Sequence, residues 1–289
     1  MTRFSLIRIL CIAMLALFFV PQAADAAKRE PITDKIVFVP HDSRPISSKQ
    51  TADVVQRVGY EIVVPPTELL GNREDWGHPD ELWTWLDSAL AEPGVKAAVV
   101  SSDAMIYGSL VGSRKHSYTR DQILARAARF EELQRTHSKT PLYVFGSIMR
   151  TPRSGEASGH EEPEYYRRYG ADIFRYTLLR DKEEVEGLSR RERKEYDFLG
   201  RLIPKEALAD WLGRREKNYA VNEYLIELMK RHDTFRYLTL GRDDNAPFSQ
   251  THLESRHLTE TGASLGKTRF QTMAGIDEIA LLMLTRAVN

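Results

Sequence analysis

Residues 36–40 read Ile-Val-Phe-Val-Pro and run straight into His-Asp-Ser-Arg-Pro at 41–45. A short apolar, β-branched run with no polar alternation, bounded by polar residues, is the pattern of a strand buried on both faces, as in a parallel sheet covered by helices. Comparable runs occur at Glu61-Ile-Val-Val64, Val95-Lys-Ala-Ala-Val-Val100, Leu142-Tyr-Val-Phe145 and Phe235 to Leu240, with a weaker one at Thr268 to Met273. The segments between them carry helical spacing: Lys49 to Val58, Pro79 to Ala91, and Arg120 to Gln134, where Ile123, Ala127, Phe130 and Leu133 share one face. A final helix is expected over Ile276 to Ala287. Strand and helix alternate, which predicts an α/β fold with parallel strands. About six βα units fall short of the eight a closed barrel needs. An incomplete TIM-barrel-like sheet is the expectation, and a doubly wound sheet is the alternative.

The 289 residues suffice for one large domain. Residues 1–26 are read as a cleavable secretory signal: Arg3 and Arg8 lead, Ile9 to Val20 is apolar, and Ala24-Asp25-Ala26 is a small-residue cleavage end. The apolar stretch is short for a bilayer span. Secretion or a periplasmic location follows as the expectation. Residues 27–289 are then one catalytic-type α/β domain with an insertion over about 151–231. Within it, 151–180 is rich in Pro, Gly and aromatics, while Lys182 to Arg231 reads as helices. The chain stops at Asn289 directly after an apolar helix, so the sequence reads as lacking a carboxy-terminal part.

Composition excludes several chemistries. The one cysteine, Cys11, falls in the signal, which removes disulfides, iron–sulfur clusters, thiol nucleophiles and cysteine-held zinc from the mature chain. Forty-one basic residues balance 41 acidic ones, so neither nucleic acid nor an anionic membrane is expected as partner. A small molecule or glycan remains as substrate, and oligomeric state is open.

The ends of the strand-like runs concentrate charge, and in α/β sheets ligands bind at the carboxyl ends of the strands. His41-Asp42-Ser43-Arg44-Pro45 follows the first run, and Pro45 stiffens the turn. Asp42 suits sugar hydroxyls or a metal, and Arg44 a carboxylate or sulfate; the two also suit a simple loop ion pair. Ser101-Ser-Asp103 follows the third run. Ser102 has neither a Gly-x-Ser-x-Gly elbow nor a nearby histidine, which argues against serine hydrolase chemistry. Asp103 reads as a ligand-binding acid or a helix cap. Arg150 and Arg153 emerge after the fourth run, placed either to neutralise the neighbouring acids or to hold an anionic group.

Asp243-Asp-Asn245 ends the fifth run. Adjacent carboxylates oppose each other's ionisation, so one can act as general acid while the other stays charged, a division glycoside cleavage requires. The pair is similar to adjacent acids in some hexosaminidases; an Asx turn involving Asn245 and Pro247 is the structural reading. Asp42, Asp103, Asp243 and Asp244 would also suit calcium, magnesium or manganese as oxygen donors, while zinc lacks its histidine spacing. No cofactor is otherwise called for. Glu161-Glu-Pro-Glu-Tyr-Tyr-Arg-Arg-Tyr169, with Trp76, places rings beside acids as carbohydrate sites do, or packs the insertion onto the sheet. Arg214, Asn218 and Asn222 recur every four residues, the spacing of a solvated helical face or, if that helix covers the strand ends, of a pocket wall.

Val39-Pro-His-Asp-Ser-Arg-Pro45, Ser101-Ser-Asp-Ala-Met-Ile-Tyr-Gly108, Phe145-Gly-Ser-Ile-Met-Arg150, Glu162-Pro-Glu-Tyr-Tyr166, Arg214-Arg-Glu-Lys-Asn218 and Gly241-Arg-Asp-Asp-Asn-Ala-Pro247 together resemble the bacterial domain-of-unknown-function 4127 family, from about Ile36 to the end. The resemblance implies no activity. It implies a longer chain, in which the site formed by Asp42, Arg44, Asp103, Arg150, Asp243 and Asp244 would be part of a larger one. The functional expectation is an exported hydrolase acting on a carbohydrate. Asp243 and Asp244 would be the acid pair; Asp42, Asp103, Arg44, Arg150, Asn245 and Asn218 would contact substrate. A metal-dependent hydrolase of an ester or amide, or a non-catalytic exported binding protein, stand as alternatives.

Overall fold

The computed structural model describes residues 34–155 and 160–289; the expected signal at 1–26 lies outside them. Six strands form one sheet: β1 (Lys35–Val39), β2 (Glu61–Val63), β3 (Val95–Ser101), β4 (Leu142–Ile148), β5 (Tyr237–Arg242) and β6 (Phe270–Ala274). All five pairings are parallel and the order is β2-β1-β3-β4-β5-β6. The ten α-helices among the described residues are α1 (Lys49–Gln56), α2 (Pro79–Leu90), α3 (Ser102–Tyr107), α4 (Leu110–Lys115), α5 (Arg120–Thr136), α6 (Tyr166–Val185), α7 (Arg190–Leu202), α8 (Lys205–His232), α9 (Gln250–Thr261) and α10 (Ile279–Val288). Each of the six strand-like runs from Ile36 onward is a strand, as expected.

The expected parallel α/β sheet is present, and it is open rather than closed into a barrel, with β2 and β6 at its edges. The reason lies in the two faces of the strands. Val37 and Val39 of β1, Val100 of β3 and Leu238 and Leu240 of β5 pack with Leu82, Phe130 and Leu225 from α2, α5 and α8. Ile36, Phe38, Val99 and Phe145 point the other way, against Ala52 and Val55 of α1 and Ile279 and Met283 of α10. A barrel puts helices on one side only, whereas here large apolar side chains on both faces each find a helical layer. Since crossovers between parallel strands are right-handed, the step outward from β1 to β2 and the return past β1 to β3 put α1 and α2 on opposite faces. The carboxyl ends of β1 and β3 therefore flank the topological switch point, where doubly wound sheets hold ligands.

The insertion between β4 and β5 holds α6, α7 and α8. Helix begins earlier in it than the sequence predicts, because α6 starts at Tyr166 rather than near Lys182. The buried stripe Tyr166, Gly170, Ile173 and Thr177 has helical spacing but mixes an aromatic, a glycine and a threonine, so it lacks a plain hydrophobic signature. Tyr166 and Ile173 pack with Ile203 and Trp211 into a small core of their own. Helix α8 then returns along α5, and its buried Leu225, Ile226 and Met229 join the main core.

Candidate functional site

At the switch point the chain leaves β1 into His41 and Asp42, both buried. His41 is gripped from β3: its Nδ1 lies 3.0 Å from Ser101 Oγ and 3.2 Å from Asp103 Oδ2. Ser101 also accepts the backbone N–H of Ala104, so the cap of α3 is Ser101 rather than Asp103. Asp103 accepts instead from Ser147 Oγ of β4 at 3.0 Å through Oδ1. The approach of Oδ2 to His41 is electrostatic rather than an aligned hydrogen bond, since Oδ2 has no hydrogen-bond partner. A carboxylate beside Nδ1 favours the tautomer with its proton there. Nε2 is buried without a hydrogen-bond partner.

Asp42 is fully buried and clamped by Arg44, whose Nε lies 3.0 and 2.9 Å from the two carboxylate oxygens, with Nη2 at 2.8 Å from Oδ2. Pro45 and the two-residue spacing make this fork the local conformation. Beside it lies a larger ionic cluster. Glu161, from the insertion, sets Oε2 at 3.1 Å from Arg114 Nη1 and 2.9 Å from Arg150 Nη2, and Oε1 at 3.1 Å from Arg73 Nε. Glu162 accepts from Arg150 Nε at 2.7 Å. Asp243 Oδ2 lies 3.5 Å from both Arg114 Nη2 and Arg150 Nη1.

The adjacent glutamates are driven apart. Burial works to raise both carboxyls. At Glu161 the fields of Arg150, Arg114, Arg73 and Arg44 outweigh it and hold the group below the usual range. At Glu162, only 1% exposed, burial prevails over Arg114 and Arg150 and pushes the group up. Burial and the neighbouring Arg150 together lower Arg114, although a guanidinium remains charged.

The β5 end carries Asp243, Asp244 and Asn245 into a cleft of about 440 Å³ that they share with Arg150, Thr151, Pro152, Arg153 and Ala246. Asp243 is 44% exposed. Asp244 is held by an Asx turn in which Oδ1 accepts the Ala246 N–H at 2.8 Å, while its Oδ2 is buried without a partner. A larger hollow, about 660 Å³, lies at the opposite ends of the strands beside Tyr143, Arg236 and Arg269.

Arg150, Asp243, Asp244 and Asn245 thus share one cleft, while Arg44 and Asp42 pair with each other outside its lining. Asp103, held by His41 and Ser147, is not among the residues that line the cleft. Asn218 spends its amide inside the protein: Nδ2 donates to Ser113 O at 2.7 Å and Oδ1 meets His116 Nε2 at 2.7 Å. The solvated-face expectation for α8 is corrected, since Arg214, Asn218 and Asn222 are all buried. They stitch α8 to the carbonyls of His116, Ser113 and Ser147. Tyr166 is core, while Trp76 stays 41% exposed against Tyr118. Among the described residues no group of three His, Cys, Asp or Glu side chains converges as metal ligands. Sequence reasoning passed over Arg114 and the pairing of His41 with Asp103, and it read Glu161 and Glu162 only as acids beside rings, not as partners of Arg114 and Arg150. The paired acids ahead of Pro163 were a signal, but only the fold brings them to the strand ends.

Residues 36–289 match a family model described as "Protein of unknown function (DUF4127)", nearly the whole chain. None of the curated proteins matches the sequence.

Proposed function

We propose that this chain, which belongs to the DUF4127 family, is an exported hydrolase that cleaves a glycosidic bond, with Asp243 and Asp244 as its acid pair. What supports this reading above all is the cleft at the carboxyl end of β5, where both aspartates meet Arg150, Arg153 and Asn245. Asp244 offers Oδ2 as the atom that passes a proton to the leaving oxygen, because the Ala246 N–H fixes Oδ1 and with it the carboxyl plane. Asp243, facing two guanidiniums, is the polarising carboxylate at the sugar. Water supplies the hydroxyl that ends on the anomeric carbon, and its remaining proton returns to the Asp244 carboxylate, restoring the acid. The amino-terminal pattern, with its Ala24-Asp25-Ala26 end, supports export to the periplasm or medium.

The test is release of reducing ends from a panel of neutral and acidic polysaccharides and aryl glycosides by the purified protein. Cleavage by the wild type, with kcat lowered about 100-fold or more in Asp244→Asn and in Asp243→Asn, is the expected result. Turnover unchanged in both variants, or no glycan cleaved by the wild type, would overturn the proposal.

A further inference from the structure

Three guanidiniums from three separate elements converge on one carboxylate. Arg73 comes from the loop after β2, Arg114 from α4 and Arg150 from the end of β4, and all three point at Glu161, which belongs to the insertion rather than to the sheet. Both oxygens are engaged, one by Arg73 and the other by Arg114 and Arg150. Arg114 is only 4% exposed, and so buried a charge needs compensating acids, which Glu161, Glu162 and Asp243 supply. Two of the three guanidiniums also reach Asp243, and Arg150 lines the cleft of the acid pair. The cluster therefore adjoins the cleft directly.

We infer that Arg73, Arg114 and Arg150 form a binding site for the carboxylate of a uronic-acid unit, and that Glu161 occupies it in the free protein as an internal stand-in. The inference rests on the glycosidase reading and names the substrate's anionic group. A planar carboxylate fits because Glu161 already fills the place with one, oxygen by oxygen. A uronate entering the cleft displaces Glu161 and leaves Arg114 and Arg150 paired. Glu161 thereby competes with substrate, and the apparent affinity is reduced by the fraction of molecules in which the site is free.

Titration calorimetry with D-galacturonate and D-galactose on the full chain tests this without needing turnover. Glu161→Ala and Glu161→Gln are both used, the second keeping the side-chain volume. The expected result is galacturonate binding at least about 10-fold tighter in both variants than in the wild type. Galactose affinity should stay unchanged, and the gain should vanish when Arg150→Gln is added. Equal galacturonate affinity in wild type and both variants, or a gain shared by galactose, would overturn the site. Loss of the site with glycan cleavage intact leaves the hydrolase reading standing. Galacturonate binding as expected, with no glycan cleaved, removes that reading and keeps the site.

Discussion

Arg215 shows how single residues hold the site. It is 1% exposed and fork-bound to Glu254, Nε to Oε1 at 2.7 Å and Nη2 to Oε2 at 2.8 Å. Its other N–H groups donate to the carbonyls of Arg150 and Met149 at 2.9 and 2.7 Å. One buried guanidinium thus ties α9 to the end of β4 and fixes the backbone that carries Arg150. Removing its counter-ion leaves a buried charge uncompensated, which costs far more than the net worth of the pair. Glu254→Leu should lower unfolding stability by about 3–5 kcal/mol in urea titration. A loss below about 1 kcal/mol would show that the fork contributes little. The acid pair at 243 and 244 and the fork at 42 and 44 were legible residue by residue, because local spacing creates them. The grips on His41 and Glu161 were not, since their partners lie far away in sequence.

At the element scale, the loop between β2 and α2 must be held against the rim, because it delivers Arg73. Backbone contact does this. Gly71 N–H donates to Gly108 O at 3.3 Å, and Ser43 N–H donates to Gly71 O at 2.8 Å, joining the loop to the turn between α3 and α4 and to the β1 end. Gly108 takes φ +96°, the left-handed conformation that ends α3. A Cβ on Gly77 would come within 2.4 Å of Gly108 O and 2.6 Å of Gly71 N, both backbone atoms that cannot swing away. Gly77→Ala should therefore cost about 1–3 kcal/mol. Thermal melting tests this: an unchanged midpoint would mean that the loop packs loosely. Strands and sheet-packing helices were readable because burial imposes their periodicity. The polar stripe of helix α8 stayed open between two readings because it is consumed by carbonyls of other elements, which spacing alone does not reveal.

For the whole molecule, pH stability follows from how α8 closes on α4. His116 is fully buried, stacked between Tyr107 and Tyr118 with centroids 4.9 and 5.6 Å away. In the neutral ring Nε2 donates to Asn218 Oδ1, leaving Nδ1 buried without a partner, so charging the ring adds a proton with no acceptor. Burial, opposed only by the Asn218 bond, lowers the group from 6.5 to about 4. The unfolded chain therefore binds the proton first as pH falls. The stability His116 confers is complete above about 6.5 and is lost progressively toward about 4, on the order of 3 kcal/mol in all. Glu162, pushed up by burial, works in the opposite sense, favouring the fold at low pH. Comparing wild type with His116→Phe isolates the histidine: the variant's melting midpoint should change less between pH 6.5 and 4. Equal slopes would assign the acid sensitivity elsewhere.

The sequence by itself determined the α/β class, the parallel strands and the charges at their carboxyl ends, because buried strands need unbroken apolar runs and strand ends need polar residues to leave the core. Only the tertiary structure decided that helices cover both faces of the open sheet, since that depends on which side each new strand joins, and βα repeats are the same in both cases. It likewise decided that Arg73, Arg114 and Arg150 meet Glu161, because two crossovers separate Arg73 from the end of β4 and no local spacing encodes that meeting.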